Sequence, residues 1–186
     1  MLDERRALIV FRRKAEPVPE ESLYDVDVER GVVTRKSDGT RVIAMGSHGW
    51  ATIENELAST FITGAAVILQ RVGYAYGRAA GRAARTSQSQ QEDAFSSMES
   101  LARESGWGQL TLNSGDLSGG MASITVRGCF FCVHARESTE PVCHVLVGLI
   151  GGMADEIIGA THRVSEGKCI AKGDAVCEIM IERVSG

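Results

Sequence analysis

No stretch of this 186-residue sequence approaches the ~18 uninterrupted apolar residues that a membrane-crossing helix needs. The start is broken by Asp3, Glu4, Arg5 and Arg6, so a secretory signal is missing too. Both absences point to the cytoplasm. An excess of one charge is also lacking: the formal net charge is −4 with 24% charged residues, so no strong field draws the chain to nucleic acid or to an anionic membrane. There is no phosphate-binding Gly-Lys-Ser/Thr loop, no His-Glu-x-x-His, no nucleophile elbow and no internal repeat. Gly77, Gly81 and Gly106 lie within or after helical sequence, which excludes a dinucleotide fingerprint. The expectation is a protein that binds and does not catalyse.

What is present is enough apolar sequence, 44%, to bury one substantial core. Residues 1–20 are charged, carry Pro17 and Pro19 and show no period, which reads as an N-terminal arm. Residues 21–186 read as a single domain. Within it, residues 21–48 form a strand meander, from apolar runs at 24–28, 31–34 and 41–45 separated by turns, one at Asp38-Gly39. Trp50, Ile53, Leu57 and Phe61, then Ala65, Ile68, Leu69 and Val72, recur at helical spacing toward Arg85, in two segments joined near Thr63-Gly64. Arg71, Arg78, Arg82 and Arg85 share that spacing and read as a solvated face. A polar loop at 87–91 precedes a helix through Ala94, Met98 and Leu101, closed by Gly106. Strands are expected at 110–113 and 122–133 around Gly119-Gly120, a Gly-containing apolar helix at 142–158, and a hairpin from 163–170 and 175–182. The order implies an α+β fold, with helices packed on one face of an antiparallel sheet.

Five cysteines in a reducing compartment are more naturally thiols or metal ligands than a disulfide framework. Cys169 and Cys177 flank Gly173 in the hairpin and should face each other, at a separation that suits two sulfurs on one zinc ion. Cys143 follows Pro141 at a helix start, where the helix dipole favours a thiolate. Glu166 is the fourth candidate. Its odd offset from Cys169 would turn it to the other face of a regular strand, unless Gly167 makes a bulge. Arg163, Lys168, Lys172 or backbone amides would then offset the negative charge. A Cys169–Cys177 disulfide, or small buried hydrophobes, are the alternatives. Cys129 and Cys132, near His134, hint at a second metal group, but positions three apart on a strand face opposite ways, so at least one should line the core. His48, His144 and His162 read as ordinary residues.

The residues Glu140-Pro-Val-Cys143, Gly148-Leu-Ile-Gly-Gly152, Glu166-Gly-Lys-Cys169 and Cys177 resemble the 4-vinyl-reductase domain, above all the sensor domains of bacterial activators that respond to phenols and xylenes. The resemblance takes in Trp50 to Leu57 and Val72 to Gly77, and is weakest between Ser87 and Phe130. It implies one structural zinc ion per chain on Cys143, Glu166, Cys169 and Cys177, at intervals of 23, 3 and 8 residues. It also implies a small-molecule-binding fold, often dimeric, related to TRAPP tethering subunits and to haem-based nitric-oxide sensors. The phenol sensors hold the phenol hydroxyl with a central His and Trp. Here no His lies between His48 and His134, and Trp107 falls ahead of the expected place.

An apolar or aromatic ligand, or a fatty chain, is therefore expected between the central helices and the sheet. The candidate lining is Ile68, Val72, Tyr74, Tyr76, Trp107, Cys129, Phe130, Phe131, Cys132 and Val133. The leading expectation is a zinc-stabilised sensor domain in transcriptional or signalling regulation, dimeric and without direct nucleic-acid binding. A scaffold or dimerisation module of tethering-complex type is the alternative, and an oxidoreductase ranks below both.

Overall fold

The computed structural model describes residues 22–87, 91–116, 121–135 and 137–184. The expected arm at 1–20, the core of the polar loop at 88–90 and the Gly119-Gly120 turn lie outside them. The chain divides between Ala44 and Met45 into two compact units.

The first unit is the meander. Strands β1 (Tyr24–Asp27), β2 (Val32–Arg35) and β3 (Arg41–Val42) pair antiparallel in chain order. Gly39 has φ +70°, a left-handed conformation that glycine adopts without strain. The Asp38 carboxylate locks this turn by accepting hydrogen bonds from Arg35 Nε and from the Thr40 amide, each at 3.0 Å. Strand β3 is shorter than the apolar run at 41–45 predicted, and Ile43 is exposed.

The second unit opens with helices α1 (Ser47–Thr60) and α2 (Ala65–Ser87), joined near Gly64 as the periodicity implied. Helix α3 (Gln91–Glu104) ends before Gly106, whose φ of +74° stops it. A four-stranded antiparallel sheet follows, made of β4 (Gln109–Asp116), β5 (Met121–Arg127), β6 (His162–Lys168) and β7 (Cys177–Arg183). Its order is β4-β5-β7-β6. Alternation sets its faces. Ala122, Ile124 and Val126 on β5 stand opposite Ile181, Ile179 and Cys177 on β7, and all six are buried. The residues between them are half-exposed, so one face carries the helices, as expected.

Helix α4 (His144–Ile158) is apolar all round, and its buried residues run from Val145 to Ala154 without a break, which marks it as the central helix. It crosses α2 backbone to backbone. Gly73 and Gly77 on α2 and Gly148 and Gly152 on α4 each face a carbonyl of the other helix, so close that a Cβ at any of them would overlap it. Small residues four apart permit this approach. Arg78 Nε reaches Glu156 Oε2 at 3.0 Å and Arg82 lies 3.6 Å from it, so part of the expected solvated arginine face ties α2 to α4.

One expected strand is corrected. The run 122–133 stops at Arg127, because Gly128 turns the chain at φ +60° and Phe130–Cys132 form a 3-10 turn. Among the described residues, no helix is long and apolar enough to cross a membrane.

Candidate metal centre

Cys143 is the residue before α4, and its amide donates a hydrogen bond of 3.0 Å to Glu166 Oε2. Glu166 reaches that point because β6 breaks register: it pairs with Ile179, while Lys168 pairs with Glu178. Gly167 is the extra residue, so the bulge that the odd spacing demanded is present. Cys169 and Cys177 then stand one step beyond the last registered pair, joined by a turn through the 3-10 segment Ile170–Lys172 and Gly173 at φ +96°. The Asp174 carboxylate accepts the Cys169 amide at 2.8 Å and closes this loop.

The structure brings the four predicted ligands together. Cys143 Sγ lies 3.7 Å from Cys177 Sγ and 4.0 Å from Cys169 Sγ. All four donor atoms fall within 4.8 Å of one another. A tetrahedral ion with bonds to sulfur of ~2.3 Å holds its sulfurs ~3.8 Å apart, so the spacing fits such an ion. Glu166 Oε1 is buried without a hydrogen-bond partner, as a carboxylate oxygen awaiting a cation would be.

Electrostatics agree with that reading. Burial pushes the Glu166 carboxyl up to about 7, against the hydrogen bonds from Cys143 that favour its charged form. The Cys169 thiol is drawn below its usual range, first by its hydrogen bond from Cys143. Cys143 is held above its own range by hydrogen bonds with Cys129, Cys132, Cys169 and Cys177 and by burial. The helix-start argument had favoured a thiolate at Cys143. Burial among other sulfurs outweighs the helix dipole there. Of the expected compensating groups, Lys168 is engaged by Glu178 at 3.1 Å, and a backbone amide takes the role: Ile170 N–H donates to Cys177 Sγ at 3.4 Å.

Cys129 and Cys132 are both in this cluster, which corrects the expectation that at least one would only line the core. Cys129 Sγ lies 3.5 Å from Cys143 Sγ, and Cys132 Sγ 3.6 Å from Cys177 Sγ. The backbone between them is a 3-10 turn and not a strand, and in a 3-10 turn residues three apart eclipse. The C-x-x-C spacing was the available signal. His134 is not part of the group: its ring stacks on His48 at 4.1 Å and Nε2 lies 2.7 Å from Ser47 Oγ.

The other residues proposed as ligand lining fall in three places. Phe130 and Phe131 pack against Trp50, with ring centroids 6.4 and 5.6 Å from it. Tyr76 meets Trp107 edge-on at 5.9 Å, and Val133 and Val72 are exposed while Ile68 is half-buried. Tyr74 donates a 2.8 Å hydrogen bond to Asp155 Oδ2 and borders a groove of about 330 Å³ with Val67, Val147, His162 and Val164. His162, which had read as ordinary, has a buried side chain with Nδ1 2.9 Å from Asp155 Oδ1 and Nε2 without a partner.

Known proteins can now be set beside this geometry. No curated protein matches the chain. Among solved structures, it is similar to the phenol-responsive sensory domain of the transcription activator PoxR with phenol, at 18% identity and a TM-score of 0.74 over 87% of this chain and 85% of that one. A vinyl-4-reductase family protein from Methanocaldococcus jannaschii is similar at 17% identity and a TM-score of 0.53, over 78% and 85% of the two chains. A trafficking protein particle complex subunit 3 from Naegleria fowleri, covalently bound to palmitic acid, is similar at 12% identity and a TM-score of 0.59, over 75% and 93%. Each likeness is one of fold. The family model of the vinyl-4-reductase domain matches residues 122–183, a span that runs from β5 to the end of β7 and holds Cys143, Glu166, Cys169 and Cys177. By that match and the shared fold, this chain carries a domain of the vinyl-4-reductase, or 4-vinyl-reductase, family.

Proposed function

We propose that the chain is a small-molecule sensor domain, stabilised by one zinc ion on Cys143, Glu166, Cys169 and Cys177 and responsive to an apolar or aromatic ligand. It acts in the cytoplasm, in transcriptional or signalling regulation. The observation that carries this reading is the fold it shares, over most of its length, with a phenol-responsive sensory domain. The function is binding and not catalysis, since a zinc ion held by four protein ligands has no open position for a substrate.

The ligand enters beneath α1. That helix buries none of its residues fully and leans on the core through Trp50 and Leu57, so it is the element most cheaply displaced. Trp50, Phe130 and Phe131 lie under it as an apolar, aromatic wall. The meander is the dimerisation element: it exposes Val26, Val28 and Ile43, which a second copy would cover.

The likeness to a palmitate-bound tethering subunit supports a second reading, a scaffold with a permanently filled pocket. Native mass spectrometry separates the two. An exchangeable ligand site on a dimer supports the sensor, a tightly held lipid-like mass supports the scaffold, and a redox cofactor would return the chain to the oxidoreductases.

A further inference from the structure

The sulfur cluster is larger than one zinc ion needs. The sulfurs of Cys129, Cys132, Cys143 and Cys177 lie within 4.8 Å of one another, as do the donor atoms of Cys143, Glu166, Cys169 and Cys177. The two tetrads share one edge, from Cys143 to Cys177, whose sulfurs are 3.7 Å apart. Six ligands divided in this way match the donor set of two four-coordinate ions bridged by two thiolates: two terminal ligands on each ion, and two sulfurs in common.

We propose that the chain binds a second divalent, thiophilic ion in the tetrad of Cys129, Cys132, Cys143 and Cys177, making a dinuclear centre bridged by the Cys143 and Cys177 thiolates. The proposal rests on the reading that Cys143, Glu166, Cys169 and Cys177 hold the first.

Three observations carry it. The first is local geometry. Gly128 at φ +60° ends β5, and the 3-10 turn behind it presents Cys129 and Cys132 on one side, in the C-x-x-C spacing common to metal-binding turns. The second is distance: 3.5 Å from Cys129 to Cys143 and 3.6 Å from Cys132 to Cys177 are edges that a ~2.3 Å metal–sulfur bond can span. The third is charge in a buried place, since all five cysteines are buried. One divalent ion with three thiolates and a carboxylate leaves a net charge of −2, with two neutral thiols pressed against the bridging sulfurs. A second divalent ion displaces the two thiol protons to solvent, and two ions with five thiolates and a carboxylate again sum to −2. The burial cost of net charge is therefore not increased, and sulfur–sulfur contacts are replaced by bonds to metal. An all-sulfur tetrad selects zinc or cadmium over magnesium or calcium.

The test uses the whole chain, prepared reduced and reconstituted with zinc, then with cadmium-113. Elemental analysis and native mass should give two zinc ions per chain, falling to one in the Cys129→Ser/Cys132→Ser double variant. Cadmium-113 spectra of the unaltered chain need no variant to fold. They should show two resonances, one for an all-sulfur site and one for a site with an oxygen ligand, with the Cys143 and Cys177 β-protons coupled to both. A single ion that the double variant retains would overturn the proposal and leave the one-zinc reading standing. A single ion that needs Cys129 and Cys132 but survives Glu166→Gln and Cys169→Ser would overturn both, as would a chain that takes up no metal.

Discussion

Gly148 on α4 lies against the backbone carbonyl of Gln70 on α2, with no room between them for a side-chain carbon. Gly152 meets the Tyr74 carbonyl in the same way, while Gly73 and Gly77 answer from α2 against Val145 and Leu149. Gly148→Ala or Gly152→Ala must force the two helices apart. The expected loss of stability is at or beyond the upper end of the ~1–3 kcal/mol usual for overpacking. Gly151→Ala is the control. Its Cβ would stand 3.3 Å from Val164 Cγ2, a side chain that can give, and up to ~1 kcal/mol of helix propensity offsets the contact. Urea midpoints of the three variants check this: equal losses at positions 148 and 151 would show that backbone contact is not what the glycines secure.

Removing metal should destabilise the second unit. The proposed ligands join the start of α4 to β6, β7 and the loop after Cys169, so a zinc ion there would cross-link three elements. Chelation of zinc-loaded protein should lower the melting temperature, with a loss on the order of several kcal/mol. Cys169→Ser should lower both zinc content and melting temperature. A variant unchanged in both would exclude Cys169 as a ligand.

The ligand group was legible in the sequence because its spacing is carried along the chain, and even the Gly167 bulge followed from the odd offset of Glu166. Cys129 and Cys132 were misread for a local reason: a strand was continued past Gly128, and one turn of 3-10 backbone reverses which residues share a side. The glycines of α2 and α4 were legible as permissive residues but not as a contact. A close approach belongs to two helices some seventy residues apart, which a single sequence does not bring together. The scatter of the aromatic residues has the same cause, since which ring meets which depends on how α1 and α2 pack.

A pH effect is expected in the meander. The Arg35 guanidinium beside Asp38 holds that carboxyl below its ordinary 3.8. The folded state therefore binds this proton less readily than the unfolded one. The stabilisation is present above pH ~4 and is lost as pH falls below it toward the folded value. The pair is part-exposed, so the effect should be small and weakened by salt. Amide-exchange protection at Arg35 and Thr40 should fall in acid, and Asp38→Asn should lower it at neutral pH and remove the acid dependence. Protection that is constant from pH 7 to 3 would contradict the assignment.

The last prediction concerns what the proposed site prefers. The wall beneath α1 is Trp50, Phe130 and Phe131, and the neighbouring His134 is already engaged by Ser47 and His48, so the polar grip for a phenol hydroxyl is weak there. Affinity should come from apolar burial, at ~25 cal/mol per Å² before the costs of association. Titration with phenol, toluene, biphenyl and a medium-chain fatty acid, followed by calorimetry and melting temperature, should rank phenol last. Phe131→Ala should weaken the best ligand, since a lost aromatic contact of ~0.5–1.5 kcal/mol corresponds to roughly 2–10-fold in affinity. Val72→Ala, on the exposed side of α2, should leave it unchanged. Phenol binding most tightly would contradict the apolar preference. Loss of binding on Val72→Ala with none on Phe131→Ala would move the site away from α1, and no response to any of the four compounds would favour the scaffold.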